Sequence, residues 1–197
     1  MSKHKYRLIA FGVLALVQVA IPLVMIGNYE EVLSTGNLHK FRTAPIDPYD
    51  PFRGRYVSLR FDATTYCTRD PVEWESDQAL FARIGQDSLG YATIIEVLDY
   101  MPAGEEDWLG VKLSYVYHDG PDNTCLQVTL PFDRFYMEEY KAPAAEDVYF
   151  EANTGDSLTV WAAVKINKGK GVIEDVFVNE LPIATWVEQQ AVSLEGE

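Results

Sequence analysis

Residues 158–178 read LTVWAAVKINKGKGVIEDVFV, and this stretch decides the fold. Two apolar, β-branched runs, Leu158 to Ile166 and Val172 to Val178, surround Asn167-Lys168-Gly169-Lys170-Gly171. The glycines of that short segment suit a tight turn, so an antiparallel hairpin is predicted. The arrangement recurs twice upstream. Leu80 to Ile84 and Tyr91 to Leu98 flank Gln86-Asp87-Ser88-Leu89-Gly90, and Leu109 to Tyr117 and Cys125 to Leu130 flank His118-Asp119-Gly120-Pro121-Asp122-Asn123. No long helical crossover separates these runs, which favours antiparallel pairing over a βαβ fold.

Working outward, Arg55 to Asp62 alternates. Tyr56, Val57, Leu59 and Phe61 interleave with Arg55, Ser58, Arg60 and Asp62, the period of two of a half-buried strand. Leu38 to Thr43 reads as an entry strand, ended by Pro45, Pro48 and Pro51, whose fixed φ and missing N–H donors make a stiff loop. Thr64 to Asp77 reads as a polar excursion with Trp74 as its packing contact. After Pro131, the residues Phe132, Phe135, Tyr136 and Tyr140 fall at helical spacing and predict one short helix. The fold class is therefore mainly β: an antiparallel barrel or sandwich of about eight strands with one short helix, preceded by a single N-terminal transmembrane helix.

That preceding helix is read from Leu8 to Ile26, LIAFGVLALVQVAIPLVMI, a charge-free run long enough to cross a bilayer. Gln18 and Pro22 interrupt it without ruling it out. A cleaved signal peptide has a shorter apolar region and a small-residue cleavage site, whereas Met25 and Gly27 make a poor pair for one, so the flanks favour a retained signal-anchor. Lys3, Lys5 and Arg7 precede the run and Glu30 and Glu31 follow it, predicting N-in, C-out with the domain on the periplasmic or extracellular side. Tyr29 to Thr35 extends the helix and Gly36 is its natural stop. The expected organisation is a basic tip and anchor over 1–35, a cell-envelope β domain over 36–183, and an acidic tail over 184–197.

The 197 residues carry 30 acidic and 16 basic side chains, a formal charge of −14. That field repels phosphate backbones, so nucleic acid is excluded as a partner. Apolar residues at 48% suffice for a sizeable core. Cys67 and Cys125 are the only cysteines, too few and too far apart for a paired zinc site. In an oxidising compartment they form one disulfide or remain two buried thiols.

The segment Asp47-Pro48-Tyr49-Asp50-Pro51-Phe52-Arg53-Gly54-Arg55-Tyr56-Val57-Ser58-Leu59-Arg60-Phe61 resembles the signature of the bacterial GDYXXLXY family. Gly54, Tyr56 and Leu59 agree with it, while Arg55 stands in place of the Asp and Phe61 in place of the final Tyr. The anchor, the Asp-Pro-x-Asp loop, the Phe132-Asp133-Arg134-Phe135-Tyr136 run and the closing hairpin extend the resemblance over most of residues 36–180. The resemblance implies a membrane-anchored extracytoplasmic domain with no assigned activity, of a kind often encoded beside multi-pass membrane proteins, and names no reaction. The candidate interaction corner comprises Asp47, Asp50, Arg53, Gly54, Tyr56, Leu59 and Phe61, with Arg53 expected to pair with Asp47 or Asp50.

Residues for other chemistries are present but poorly arranged. Cys125 and Arg134 superficially fit a sortase-like transpeptidase, but such proteins place the histidine far upstream of the cysteine, and this chain offers only His39 and His118, the latter in a turn seven residues before Cys125. Asp47 and Asp50, or Asp119, Asp122 and Asn123, offer oxygen ligands for calcium without EF-hand spacing. No histidine pair at zinc spacing and no phosphate loop occurs, so neither metal nor cofactor is implied. The sequence thus points to a non-enzymatic accessory or interaction domain of a membrane complex. The alternatives are a small-ligand-binding, hydrolytic or transpeptidase-like enzyme with a barrel-mouth site, and a calcium-stabilised adhesion-type domain.

Overall fold

The computed structural model describes residues 3–44, 56–70, 74–104, 107–138, 140–154 and 158–195. The proline loop, and with it Asp47, Asp50, Arg53 and Gly54, lies outside them. Helix α1 runs from Lys3 to Thr35 and is long and apolar enough to span a membrane. It ends where Gly36 N–H closes on the Val32 carbonyl at 2.8 Å.

The chain then forms β1 (Asn37–Ala44), β2 (Tyr56–Ser58), β3 (Arg60–Phe61), β4 (Thr65–Thr68), β5 (Ala79–Gln86) and β6 (Ala92–Leu98). It continues with β7 (Trp108–His118), β8 (Thr124–Thr129), β9 (Arg134–Tyr136), α2 (Ala142–Thr154), β10 (Val160–Asn167), β11 (Lys170–Val178), β12 (Leu181–Pro182) and α3 (Ile183–Glu195). Two five-stranded sheets, ordered β12-β11-β10-β1-β3 and β4-β8-β7-β5-β6, curl around one core into a nearly closed, barrel-like body, and β2 pairs β9 as a separate ribbon.

All three hairpins form as their turn residues predict. Between β10 and β11 the turn is made by Lys168 and Gly169, both at positive φ (49° and 80°). Two successive left-handed residues give the twist that matches paired strands. Between β5 and β6, the Asp87 side chain accepts the N–H groups of Leu89 and Tyr91, both at 2.9 Å, while Gly90 takes φ 82°. Such an aspartate fixes a turn through its own backbone.

Within the described residues, Tyr56–Asp62 keeps its alternation, with Val57, Leu59 and Phe61 buried, yet its hydrogen-bond partner changes midway. Residues 56–58 pair β9, Leu59 N–H reaches the Asp133 carbonyl at 2.8 Å, and Arg60–Phe61 pair β1. Phe61 meets Phe41 and Phe132 edge-on, at centroid separations of 5.7 and 5.5 Å, and Phe41 meets Phe132 at 5.4 Å. This triad is a centre of the core, since edge-to-face rings add to their area burial.

Three expectations are corrected. Phe132–Tyr140 does not form a helix: Arg134–Tyr136 is strand β9, because aromatic residues suit a pleated edge and the exposed donors of β2 need partners. The domain's helices are instead α2, whose Ala142, Ala145, Val148 and Tyr149 are buried at helical spacing, and α3, which buries Ile183 and Val187. Residues expected as an acidic tail therefore include a packed helix. The Thr64–Asp77 excursion contains β4, paired to β8; Trp74 does pack against the core.

Helix and domain are joined at one junction. Val32 is buried, Lys168 Nζ lies 2.8 Å from Glu31 Oε1, and Asn167 Nδ2 donates to Thr35 Oγ1 at 2.6 Å. At the same turn Gly110 N–H donates to the Gly169 carbonyl at 2.8 Å and Gly169 N–H to the Trp108 carbonyl at 3.1 Å, stitching the two sheets together. Beside it, His39 is buried with Nε2 2.8 Å from Asp107 Oδ2, and Asn37 donates to the other Asp107 oxygen at 2.8 Å.

Candidate functional site

The signature residues within the described segments divide into two kinds. Leu59 and Phe61 point inward and are packed, so Phe61 contributes a ring to the aromatic triad and brings no hydroxyl that needs a partner there. Tyr56 points outward. It stands opposite Tyr136 across the β2–β9 ribbon with ring centroids 5.6 Å apart, and the Arg134 guanidinium lies 5.0 Å above the Tyr56 ring. Cation–ring contact of this kind adds roughly 0.5–1 kcal/mol at an exposed site. The Tyr136 hydroxyl, and then Asp133 at 3.6 Å, hold Arg134 protonated above its ordinary range.

This ribbon forms one wall of an open cleft of about 660 Å³. Ser58, Arg60 and Asp133 line it on the ribbon side, and Ser114, Gln127 and Thr129 face them from β7 and β8. The far wall is held by hydrogen bonds between its own side chains: Ser114 Oγ lies 2.7 Å from Thr129 Oγ1, and Thr65 donates to Gln127 at 2.8 Å. Beneath the ribbon, the Tyr149 hydroxyl donates to the Ala44 carbonyl at 3.1 Å and accepts the Arg60 N–H at 3.3 Å. Burial pushes this phenol up to about 12, so it stays a neutral donor across physiological pH. Tyr149 thereby ties the end of β1 to the start of β3, as a second layer under the cleft.

Chemically the cleft offers hydroxyls, an amide, guanidinium groups and a carboxylate, a set suited to polar recognition. Its described lining holds no histidine, lysine or cysteine. Cys125 is buried in a disulfide with Cys67, directly opposite it across β4 and β8, and has no free thiol for transpeptidation. His118 contacts Thr124 at 3.3 Å and lies with Asp119, Asp122 and Asn123 around a different, open surface loop.

Arg134, Tyr136 and Tyr149 were not singled out by the corner read from sequence. Reading Arg134-Phe135-Tyr136 as a strand would have placed Arg134 and Tyr136 on one face, two residues apart, beside the signature tyrosine.

Fold and site together define a class: a disulfide-closed, barrel-like β domain carried on a helix able to span a membrane, with a polar-aromatic corner. The family model described as GDYXXLXY protein matches residues 18–176, and the chain belongs to that family. No curated protein and no solved structure matches it.

Proposed function

We propose that this protein is an extracytoplasmic accessory domain of a membrane complex, held by α1 in an N-in, C-out orientation. It engages a multi-pass membrane partner through its β2–β9 corner. The observation that carries the reading is the Tyr56–Arg134–Tyr136 cluster: three interacting side chains on a short ribbon outside the two main sheets, with Tyr136 67% exposed. Aromatic and arginine side chains of this kind are the residues that anchor protein interfaces. The basic residues before the apolar run support the orientation, and the Cys67–Cys125 bridge suits an oxidising compartment.

The test is co-purification from mildly solubilised native membranes. Tyr56→Ala combined with Arg134→Ala is expected to lose a multi-pass protein that the unaltered chain retains, while leaving the domain folded. Undiminished co-purification by the double variant would refute the corner as the contact. A second reading, binding of a small polar ligand, is favoured by the lining of the 660 Å³ cleft alone. It requires a ligand-dependent rise in Tm that Gln127→Leu abolishes.

A further inference from the structure

Tyr29 marks a level on α1 just beyond its apolar run. It follows Ile26 by three residues, about 4.5 Å along a helix axis. The headgroup layer on each side of a bilayer is about 5–7 Å thick, half the difference between its full and hydrocarbon thicknesses. Tyr29 therefore lies within that layer when Leu8–Ile26 fills the hydrocarbon. Every residue from Ile21 to Glu31 is exposed, and Val32 is the first of the helix to be buried by the domain. The domain leaves the helix bare up to this level and closes on it just above.

A groove of about 430 Å³ opens at the same height, between the helix and the edge of the barrel-like body. Tyr29 lines it from α1, Arg134, Phe135 and Tyr136 from β9, and Ile173 and Glu174 from β11. Tyr29 is 60% exposed and Tyr136 67%. Their rings are apolar with a polar tip, the kind of side chain that settles at a membrane–water boundary, and a guanidinium beside them suits a phosphodiester.

We propose that this β9 edge rests in the phospholipid headgroup layer, with Tyr29, Tyr136 and Arg134 contacting zwitterionic lipid, so the domain has a second foothold beside its helix. The zwitterionic class follows from charge: a chain at −14 is repelled by an anionic surface, while a phosphodiester masked by its own cation is not. The proposal rests on α1 spanning the membrane. It divides the corner by face: Tyr56, on the 660 Å³ cleft, is left to the protein partner, while Tyr136, on the 430 Å³ groove, is turned to lipid, with Arg134 between them.

The test uses the full-length protein in phosphatidylcholine vesicles. Cys67 and Cys125 are bonded to each other, so Val17→Cys, Asn28→Cys and Glu174→Cys each introduce one free thiol, which is labelled with an environment-sensitive fluorophore and leaves Tyr29, Tyr136 and Arg134 in place. Nitroxide lipids quench from the headgroup or from mid-chain. Expected is mid-chain quenching of the Val17 label, and headgroup quenching of the Glu174 label at least half as strong as that of the Asn28 label. If the Val17 label is quenched from mid-chain but the Glu174 label is quenched from the headgroup less than half as strongly as the Asn28 label, the foothold is overturned while the anchor stands. If the Val17 label is untouched by mid-chain nitroxide, both readings fall.

Discussion

Gly36 is required by closeness, not by backbone dihedral. A Cβ placed there would sit 2.5 Å from the Val32 carbonyl oxygen and 3.0 Å from that of Ile166. Both are backbone atoms and cannot rotate away. Gly36→Ala is therefore expected to destabilise the helix–strand junction by about 1–3 kcal/mol, the usual cost of overpacking, measured as a lower Tm of the detergent-solubilised chain. Asp175 gives a signed pH effect. Burial raises its carboxyl above the ordinary 3.8, the Val176 N–H opposing that rise and Glu174 adding to it. A folded-state value above the unfolded one means that its favourable contribution is full below 3.8 and is lost as pH rises through the folded value. Asp175→Asn keeps an acceptor for Val176 N–H, so it is expected to raise Tm at pH 7, with the gain closing as pH falls toward 3.8. A gain that grows on acidification would contradict this assignment. Asp47, Asp50, Arg53 and Gly54 are readable as a motif, whereas the Arg134 ring contact is not, because all five strands of one sheet lie in the chain between the two strands it joins.

At the scale of elements, the hairpins were legible because each turn advertises itself: Lys168-Gly169 by its glycine, and Asp87 through Gly90 by an aspartate and a glycine. Short elements were not. Strand β4 is four residues long and looks polar, and β9 borrows its stability from β2. Helices α2 and α3 bury small or few apolar groups, and neither starts with an acidic first turn. What holds α3 is long-range: Lys141 lies 2.6 Å from Glu188, which together with Glu138 raises its pKa, and Ile183 is completely buried. Ile183→Ala is expected to cost about 2–5 kcal/mol, the range for truncating a packed isoleucine. Denaturant midpoints would show it, together with faster amide exchange across α3.

For the molecule as a whole, the Cys67–Cys125 bridge closes a separation of 58 residues that includes β5, β6 and β7. Constraining a loop of that length in the unfolded chain stabilises the folded state by about 4 kcal/mol in the chain-entropy model. Cys67→Ser with Cys125→Ser is therefore expected to lower Tm sharply, and reductant should do the same to the unaltered protein but not to the variant. The junction at Lys168-Gly169 carries a mechanical consequence. The stalk, the hairpin and the first residues of β7 converge on one small patch of backbone, so a tug along the stalk loads both layers in shear at once and peels neither away separately.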